Sequence, residues 1–158
     1  MKVLEKRSYY LVVACKEHVQ KGVELGIAQA CHGKCSPLKK MKVGDGVVYY
    51  SPKIKMEGKS KENQYQCFTA IGTVAKNDTP YQVEMTQDFK PWRINVNFDK
   101  NVQHVPIKSL LDSLEFIQTG GSNWGLYVRK GFRKISEADF SLIEEAMKSV
   151  VNLNKESC

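Results

Sequence analysis

Short runs of apolar residues, separated by polar turns, divide the first two thirds of the chain into predicted elements. Residues 8–14 are aromatic and β-branched and predict a buried strand, whereas the polar segment 16–25 predicts a helix that ends at Gly26. Further strands are predicted over residues 45–51, 66–75, 81–85 and 92–98, with a mobile, lysine-rich hairpin loop over residues 54–64. A strand and a helix therefore open a domain that continues mainly in strands.

Glycine and tryptophan positions add detail to this pattern. Gly72 lies inside a predicted strand, which indicates a bulge or a close approach of neighbouring backbone. Trp92 begins an alternating strand and is predicted to be half-buried core. Trp124 instead follows a glycine-rich segment that loosens the chain, so we predict that its ring faces a ligand.

The last helix has the clearest pattern of the chain. Ser136 followed by Asp139 is a capping box, which places the start of the helix at this point. The side chains that recur at helical spacing and are predicted to be core are Phe140, Ile143, Met147 and Val150. We predict one domain over residues 1–151 and a frayed polar tail over residues 152–158.

Composition narrows the class of protein. The chain has 158 residues, 42% of them hydrophobic, which is enough for one globular domain without disulfides or metal. It contains no apolar run of about 18 residues and no signal peptide, so we expect a cytoplasmic protein without a membrane partner. Its five cysteines are irregularly spaced and are predicted to be reduced thiols.

Positive charge is concentrated in one part of the chain. Between Lys34 and Lys61 there are eight lysines and two acidic residues, a balance of +6 within a total net charge of +7. The same stretch contains Tyr49 and Tyr50, and lysines beside aromatic rings suit a nucleic-acid partner, DNA or RNA. Together with a second basic cluster, it supplies the predicted phosphate contacts: Lys34, Lys39, Lys40, Lys53, Lys55, Arg129 and Lys130.

Catalytic and metal chemistry has weaker support in the sequence. The possible soft ligands Cys15, His18, Cys31, His32 and Cys35 lack the paired spacing of zinc sites, so no metal or other cofactor is predicted. A cysteine and histidine pair would have no visible third group to orient it, and no pair of carboxylates suits acid/base catalysis. We therefore predict a protein that is not an enzyme and has no catalytic residues.

Several blocks of the chain, in this order, carry a resemblance to a known family. They are YLVVACKEHVQKGVELGIAQACHGKCSPL, MKVGDGVVYYSPK, FTAIGTV, FKPWRINVNF, VPIKSLLDSLEFI, NWG and ISEADFSLIEEAM. With these blocks the chain resembles the small stand-alone prokaryotic EVE domain proteins over almost its whole length. The resemblance implies an α+β, PUA-like fold, a strongly curved mixed or antiparallel β-barrel flanked by helices and related to the YTH domain.

The resemblance also implies a pocket for one flipped-out base in DNA or RNA, with modified cytosine or adenine as the expected partner and methylated or hydroxymethylated cytosine as leading ligands. Carried over to this chain, the pocket would be lined by Ala14, Cys15, Lys16, His18, Ala28, Gln29, His32, Tyr50, Ser51 and Trp124. Some relatives carry a tryptophan where this chain has Ala28, so one aromatic wall is missing here. Hydrogen bonds from Gln29 and His32 are then expected to carry more of the recognition.

Two alternative functions remain open at this point. A base-modifying or base-removing enzyme would use the same pocket with Cys15 or Cys31 as nucleophile. A protein-interaction module would dock an acidic partner on the lysine-rich stretch. The favoured interpretation is a nucleic-acid reader that binds an extruded base beside a cationic surface.

Overall fold

A computed structural model describes residues 7–29, 34–58, 60–75, 80–117, 121–129 and 131–156. Its strands are β1 (Tyr9–Val13), β2 (Ile27–Ala28), β3 (Gly46–Lys53), β4 (Gln64–Val74), β5 (Tyr81–Gln82), β6 (Trp92–Phe98), β7 (Val105–Pro106) and β8 (Phe132–Ile135). Its α-helices are α1 (Lys16–Leu25), α2 (Cys35–Lys39) and α3 (Glu137–Glu156). Short 3₁₀ helices span Lys61–Asn63, Ile107–Ser109 and Gly121–Val128.

The strands form one curled sheet in the order β2, β6, β4, β3, β1, β8, with β5 paired to β6 and β7 paired to β4. β1 and β3 are parallel, and the other pairings are antiparallel. The long strand β4 pairs with β7 near its start and with β6 near its end. The order ends in β2 and β8, which do not pair with each other in the part of the chain that the structure describes, so the curled sheet stays open as a half-barrel.

Alternation along the strands divides the core between the two faces of the sheet, because successive side chains point to opposite sides. On one face, α3 covers a cluster that includes Leu11, Tyr50 and Phe68. On the other face, α1 and α2 contribute to a cluster that includes Val12 and Tyr49. The neighbouring tyrosines of β3 therefore belong to opposite faces.

Several predicted elements are confirmed. α1 has the predicted bounds, and Gly26 ends it with a left-handed backbone at φ 69°. β6 also has the predicted bounds, with Ile94 and Val96 buried in the core. Gly72 pairs with Phe98 of β6 at a close approach of the two backbones, as its position inside a strand predicted.

Other predictions are wrong in detail. The strand predicted over residues 81–85 is only the two-residue β5, and Pro52 does not end β3 but lies in it at a change of register. The segment around Trp124, expected to be loosened by glycines, is a 3₁₀ helix whose half-buried indole packs against the core cluster under α3, and the ligand-facing role of Trp124 stays a prediction. Local sequence pattern does not encode these packing contacts.

The start of α3 shows half of the predicted capping box. The backbone N–H of Asp139 donates to Ser136 Oγ at 3.1 Å. The buried Asp139 carboxylate accepts instead from the backbone N–H groups of Glu115 at 2.8 Å and Phe116 at 3.1 Å, which fixes the preceding loop to the helix. The predicted core positions Phe140, Ile143 and Met147 are buried, and the side chain of Val150 lies outside the described part.

Candidate functional site

A cavity of about 670 Å³ opens where the end of β1, the helix α1 and the segment between β5 and β6 meet. This volume is typical of a small-molecule site. The cavity is lined by Val13, Ala14, Cys15, His18, Lys21, Gly22, Leu25, Ile27, Gln29, Tyr49, Pro52, Lys53, Met56, Met85, Phe89, Arg93, Arg129 and Gly131. Since β2, β3 and β6 also contribute, one helix, four strands and the segment between β5 and β6 converge on it.

Exposed apolar side chains gather around this cavity. Among the described residues, six large apolar side chains are exposed, and four of them line it: Leu25, Met56, Met85 and Phe89. Phe89 is 39% exposed and lies in an otherwise polar stretch, where no core contact explains an aromatic ring. Grouped exposed apolar residues mark a binding surface more often than scattered ones.

The charge of the cavity has one sign. Lys21, Lys53, Arg93 and Arg129 line it, and its described lining contains no Asp or Glu side chain. A concave surface that carries cations without anions focuses a positive potential into the cavity. An anionic ligand with an apolar or aromatic part matches both properties of the lining.

Tyr49 fixes the floor of the cavity. Its hydroxyl donates to the Gln29 carbonyl at 3.1 Å and accepts from the Gln29 backbone N–H at 3.2 Å. Burial raises the pKa of Tyr49, which outweighs the opposite effect of the hydrogen bond to Gln29, so the phenol stays neutral. A neutral hydroxyl both donates and accepts, and it therefore holds the chain just after β2.

Gln29 and Arg93 form a polar pair at the same wall. With its amide oxygen turned toward Arg93, Gln29 accepts from Nε at 2.8 Å and from Nη2 at 3.3 Å. Nη2 also donates to Met85 Sδ at 3.4 Å, and a thioether sulfur is a weak acceptor. The Gln29 and Met85 side chains thus orient the guanidinium.

Asn63 organises the lysine-rich loop that carries Met56. Its Nδ2 donates to the carbonyl groups of Lys55, Glu57 and Gly58, and its Oδ1 accepts from the backbone N–H of Lys55. The loop is also joined to α1, because the backbone N–H of Glu17 donates to the Ile54 carbonyl at 3.0 Å. Residues 54–58, within the segment predicted from sequence to be a mobile hairpin loop, are therefore held by defined hydrogen bonds beside the cavity.

Six of the residues predicted from sequence to form the site lie together in this lining. They are Ala14, Cys15, His18, Gln29, Lys53 and Arg129. The exposed lysines Lys34, Lys39, Lys40 and Lys55 are not part of it, and His32 and Lys130 lie outside the described residues. The end of β1 and the start of α1 thus contribute to the cavity, but most of the lysine-rich stretch does not.

The structure places the remaining predicted residues elsewhere. Ala28 and Tyr50 are each 1% exposed and belong to the core clusters on opposite faces of the sheet. Ser51 is buried, and its hydroxyl bonds to Thr69 at 2.8 Å. Lys16 lies over the Tyr65 ring, with Nζ 4.7 Å from the centroid. Trp124 packs under α3, so the aromatic rings that line the cavity in its described part are those of His18, Tyr49 and Phe89.

Sequence reasoning missed Lys21, Tyr49, Met56, Met85, Phe89 and Arg93. Two of these had a local signal: Tyr49 is an aromatic ring beside the lysines, and Phe89, between Asp88 and Lys90, lies outside the predicted strands and helices. Tyr49 is separated from Tyr50 only by the alternation of β3, whose register depends on long-range pairing.

A second polar cluster lies outside the cavity, around the start of β4. The Tyr65 hydroxyl shares a hydrogen bond of 2.5 Å with His104 Nδ1, and Cys67 Sγ donates to the Tyr65 carbonyl at 3.1 Å. Burial, followed by the nearby Lys16 ammonium, lowers the pKa of His104. Burial raises the pKa of Tyr65, so a neutral phenol beside a neutral imidazole is the favoured state.

His104 should therefore make stability depend on pH. Its pKa is lower in the folded chain than its usual value of about 6.5, so the unfolded chain binds the proton more readily. The stabilisation is present above about pH 6.5 and is lost as the pH falls through the lowered folded-state pKa. Urea unfolding between about pH 5 and pH 7.5 should show that His104→Asn flattens this dependence by up to about one proton. Parallel curves for the two proteins would contradict it.

Metal and membrane sites find no support in the described ranges. No group of three or more His, Cys, Asp or Glu side chains lies close enough there to hold a metal ion. The cysteines described, Cys15, Cys35 and Cys67, are free thiols. Within the same ranges, none of the helices combines the length and hydrophobicity needed to cross a bilayer.

Comparison with known proteins finds relatives of similar sequence. The chain is 44% identical over 141 residues to a UPF0310 protein of Mesorhizobium japonicum, covering 89% of this chain and 91% of that protein. It is 46% identical over 132 residues to a UPF0310 protein of Mycolicibacterium gilvum, covering 84% and 89%. These relatives match the chain over nearly their full length.

A solved structure of similar fold is that of the Pho92 YTH domain in complex with m6A. The TM-score is 0.56 at 13% identity, covering 94% of this chain and 87% of that domain. This likeness concerns the fold, which is α+β and PUA-like, as the resemblance in sequence implied. The EVE domain family matches residues 8–146, from the strand that begins the sheet to the helix that covers it. On this match and on the identity to the UPF0310 proteins, the chain belongs to the EVE domain family.

Proposed function

We propose that this protein binds nucleic acid, DNA or RNA, and takes one base out of the stack into the cavity. The observation that carries the proposal is the lining itself, which joins exposed apolar side chains to four cations and has no acidic side chain in its described part. Cations suit the phosphates, and an apolar rim with an aromatic ring suits the face of a base. The m6A complex of the Pho92 YTH domain supports it, since that domain has a similar fold.

Stacking on one aromatic ring recovers too little free energy to offset base extrusion alone, so several parts of the lining must contribute to binding. Extruding a base costs a few kcal/mol, and stacking on one aromatic side chain recovers about 1–3 kcal/mol. Phe89 is an exposed apolar aromatic ring at the cavity, so the proposal gives it the stacking role that the sequence suggested for Trp124. The remaining free energy must come from Met56 and Met85 contacts and from hydrogen bonds at the floor.

We propose a binding function rather than catalysis. Cys15 is 5% exposed in the lining, and no carboxylate in the described lining pairs with His18 to form an acid/base site. Incubation with oligonucleotides bearing modified bases, followed by mass spectrometry, tests this choice. A product that disappears in Cys15→Ala would replace the binding proposal with an enzymatic one. A protein partner captured equally after nuclease treatment would favour the interaction module.

Phe89→Ala should weaken binding of the preferred oligonucleotide by about 5- to 150-fold, because about 1–3 kcal/mol of stacking is lost. The measurement is fluorescence anisotropy with short single-stranded DNA and RNA oligonucleotides, each with one altered base, at two salt concentrations. The salt dependence should not change, since no charge is removed.

Leu126→Ala is the matched control, because Leu126 is a 56% exposed apolar side chain outside the lining. It should leave affinity and base preference unchanged. Equal losses in the two variants would contradict a base site at Phe89. The absence of binding to any oligonucleotide at low salt would contradict nucleic-acid binding altogether.

A further inference from the structure

Resting on this proposed function, we infer that Arg93 selects the base in the cavity. We propose that its guanidinium donates to two neighbouring acceptors on one edge of the base. Guanine presents such a pair as O6 and N7, and cytosine presents one as O2 and N3. The inference thus names the class of ligand: a base with a carbonyl oxygen and an unprotonated ring nitrogen side by side.

The strand pairing places Arg93 where it can act in this way. It lies on β6, half-buried, next to Ile94, which pairs with Ala28 of β2. Gln29 follows Ala28 directly, so its amide reaches the guanidinium. Tyr49 holds the backbone of Gln29 through two hydrogen bonds. Tyr49 therefore holds the backbone of Gln29, and the Gln29 amide in turn fixes the plane of the Arg93 guanidinium.

The hydrogen bonds of Arg93 leave a defined set of donors for a ligand. Gln29 occupies the side of the guanidinium formed by Nε and Nη2. The opposite edge, formed by Nη1 and the second N–H of Nη2, meets only Met85 Sδ among the described contacts. An oxygen or ring nitrogen is a stronger acceptor than a thioether and displaces it. This edge then offers two parallel N–H groups, the geometry that matches two adjacent acceptors.

The same geometry disfavours adenine. Its N6 amino group lies beside N7 and beside N1, so on either edge one guanidinium N–H would face another donor. Methyl or hydroxymethyl groups at C5 of cytosine leave O2 and N3 unchanged. Arg93 therefore admits cytosines modified at C5 and selects against adenine and its N6-methyl form.

A simpler role for Arg93 is contact with a phosphate, and the two roles make different predictions. A phosphate contact needs a positive charge, which lysine also supplies, whereas paired donation needs the planar fork of arginine. Arg93→Lys is therefore the test variant. Arg7→Lys is the matched control, since Arg7 is exposed, donates to the Gly44 carbonyl and is not in the lining.

The experiment compares oligonucleotides whose central residue is guanine, 7-deazaguanine, cytosine, adenine or abasic. The native protein should prefer guanine or cytosine to adenine by about 5- to 150-fold. Loss of that preference with 7-deazaguanine identifies guanine N7 as an acceptor, whereas a preference for cytosine alone identifies O2 and N3. Arg93→Lys should abolish the preference and keep the salt dependence, and Arg7→Lys should keep both.

Two results would overturn the inference. One is an Arg93→Lys variant that keeps the native preference, and the other is a native protein that binds adenine as well as guanine and cytosine. If Phe89→Ala weakens binding but Arg93→Lys keeps the preference, the base site stands and only the role of Arg93 fails. If Phe89→Ala also has no effect, the proposed function itself fails.

Discussion

Replacing Lys21, Lys53 and Arg129 together with alanine should lower affinity for single-stranded oligonucleotides about 100-fold at about 0.1 M salt. The three cations line the cavity without an acidic side chain in its described part to compete for them. Each phosphate contact on a single strand contributes about 0.7 to the slope of log affinity against log salt concentration. The triple variant should therefore reduce the magnitude of that slope by about 2.

The comparison set is Lys34, Lys39 and Lys40, which the sequence predicts to bind phosphate and which are exposed but absent from the lining. Their replacement should reduce the slope by less, because a strand that follows the cavity passes at most some of them. Salt titrations of the two triple variants and the native chain show whether the phosphate backbone follows the cavity or the surface of Lys34, Lys39 and Lys40. A larger loss from the Lys34 set would move the phosphate path to the lysine-rich stretch.

Local patterns in the sequence predicted the elements that local forces determine. The helix α1 and the strand β6 have the predicted bounds, because periodicity and a terminal glycine are properties of a few neighbouring residues. The core face of α3 was predictable in the same way. The family resemblance supplied the overall fold, which no single segment encodes.

The site was less predictable because it depends on distant pairings. Tyr49 and Tyr50 are chemically alike, and only the register of β3 against β1 and β4 places Tyr49 at the cavity. Gln29 and Arg93 meet because β2 pairs with β6, across more than 60 residues of chain. Charge density does not show which lysines line the cavity, since Lys53 is the one that does so among the described lysines of the 34–61 stretch.

Gly72→Ala should lower the free energy of unfolding by about 3 kcal/mol, the upper part of the range for overpacking in a core. A Cβ atom there would lie 2.8 Å from Phe98 Cα and still closer to the Asn97 carbonyl oxygen. Both are backbone atoms of β6, so relief requires β4 and β6 to separate where Gly72 pairs with Phe98. Urea unfolding followed by circular dichroism measures the difference.

Gly125→Ala is the matched control, since a Cβ atom at Gly125 meets no heavy atom within 4 Å. It should change the free energy of unfolding by no more than about 0.5 kcal/mol. An equally small change for Gly72→Ala would show that β6 can move away from β4 without loss of stability. The Gly72→Ala protein that remains folded also tests how the contact between β4 and β6 affects the cavity. Arg93 lies on β6, whereas Lys21 and Lys53 lie on α1 and β3. Displacing β6 should therefore weaken base preference while the salt-dependent part of binding persists.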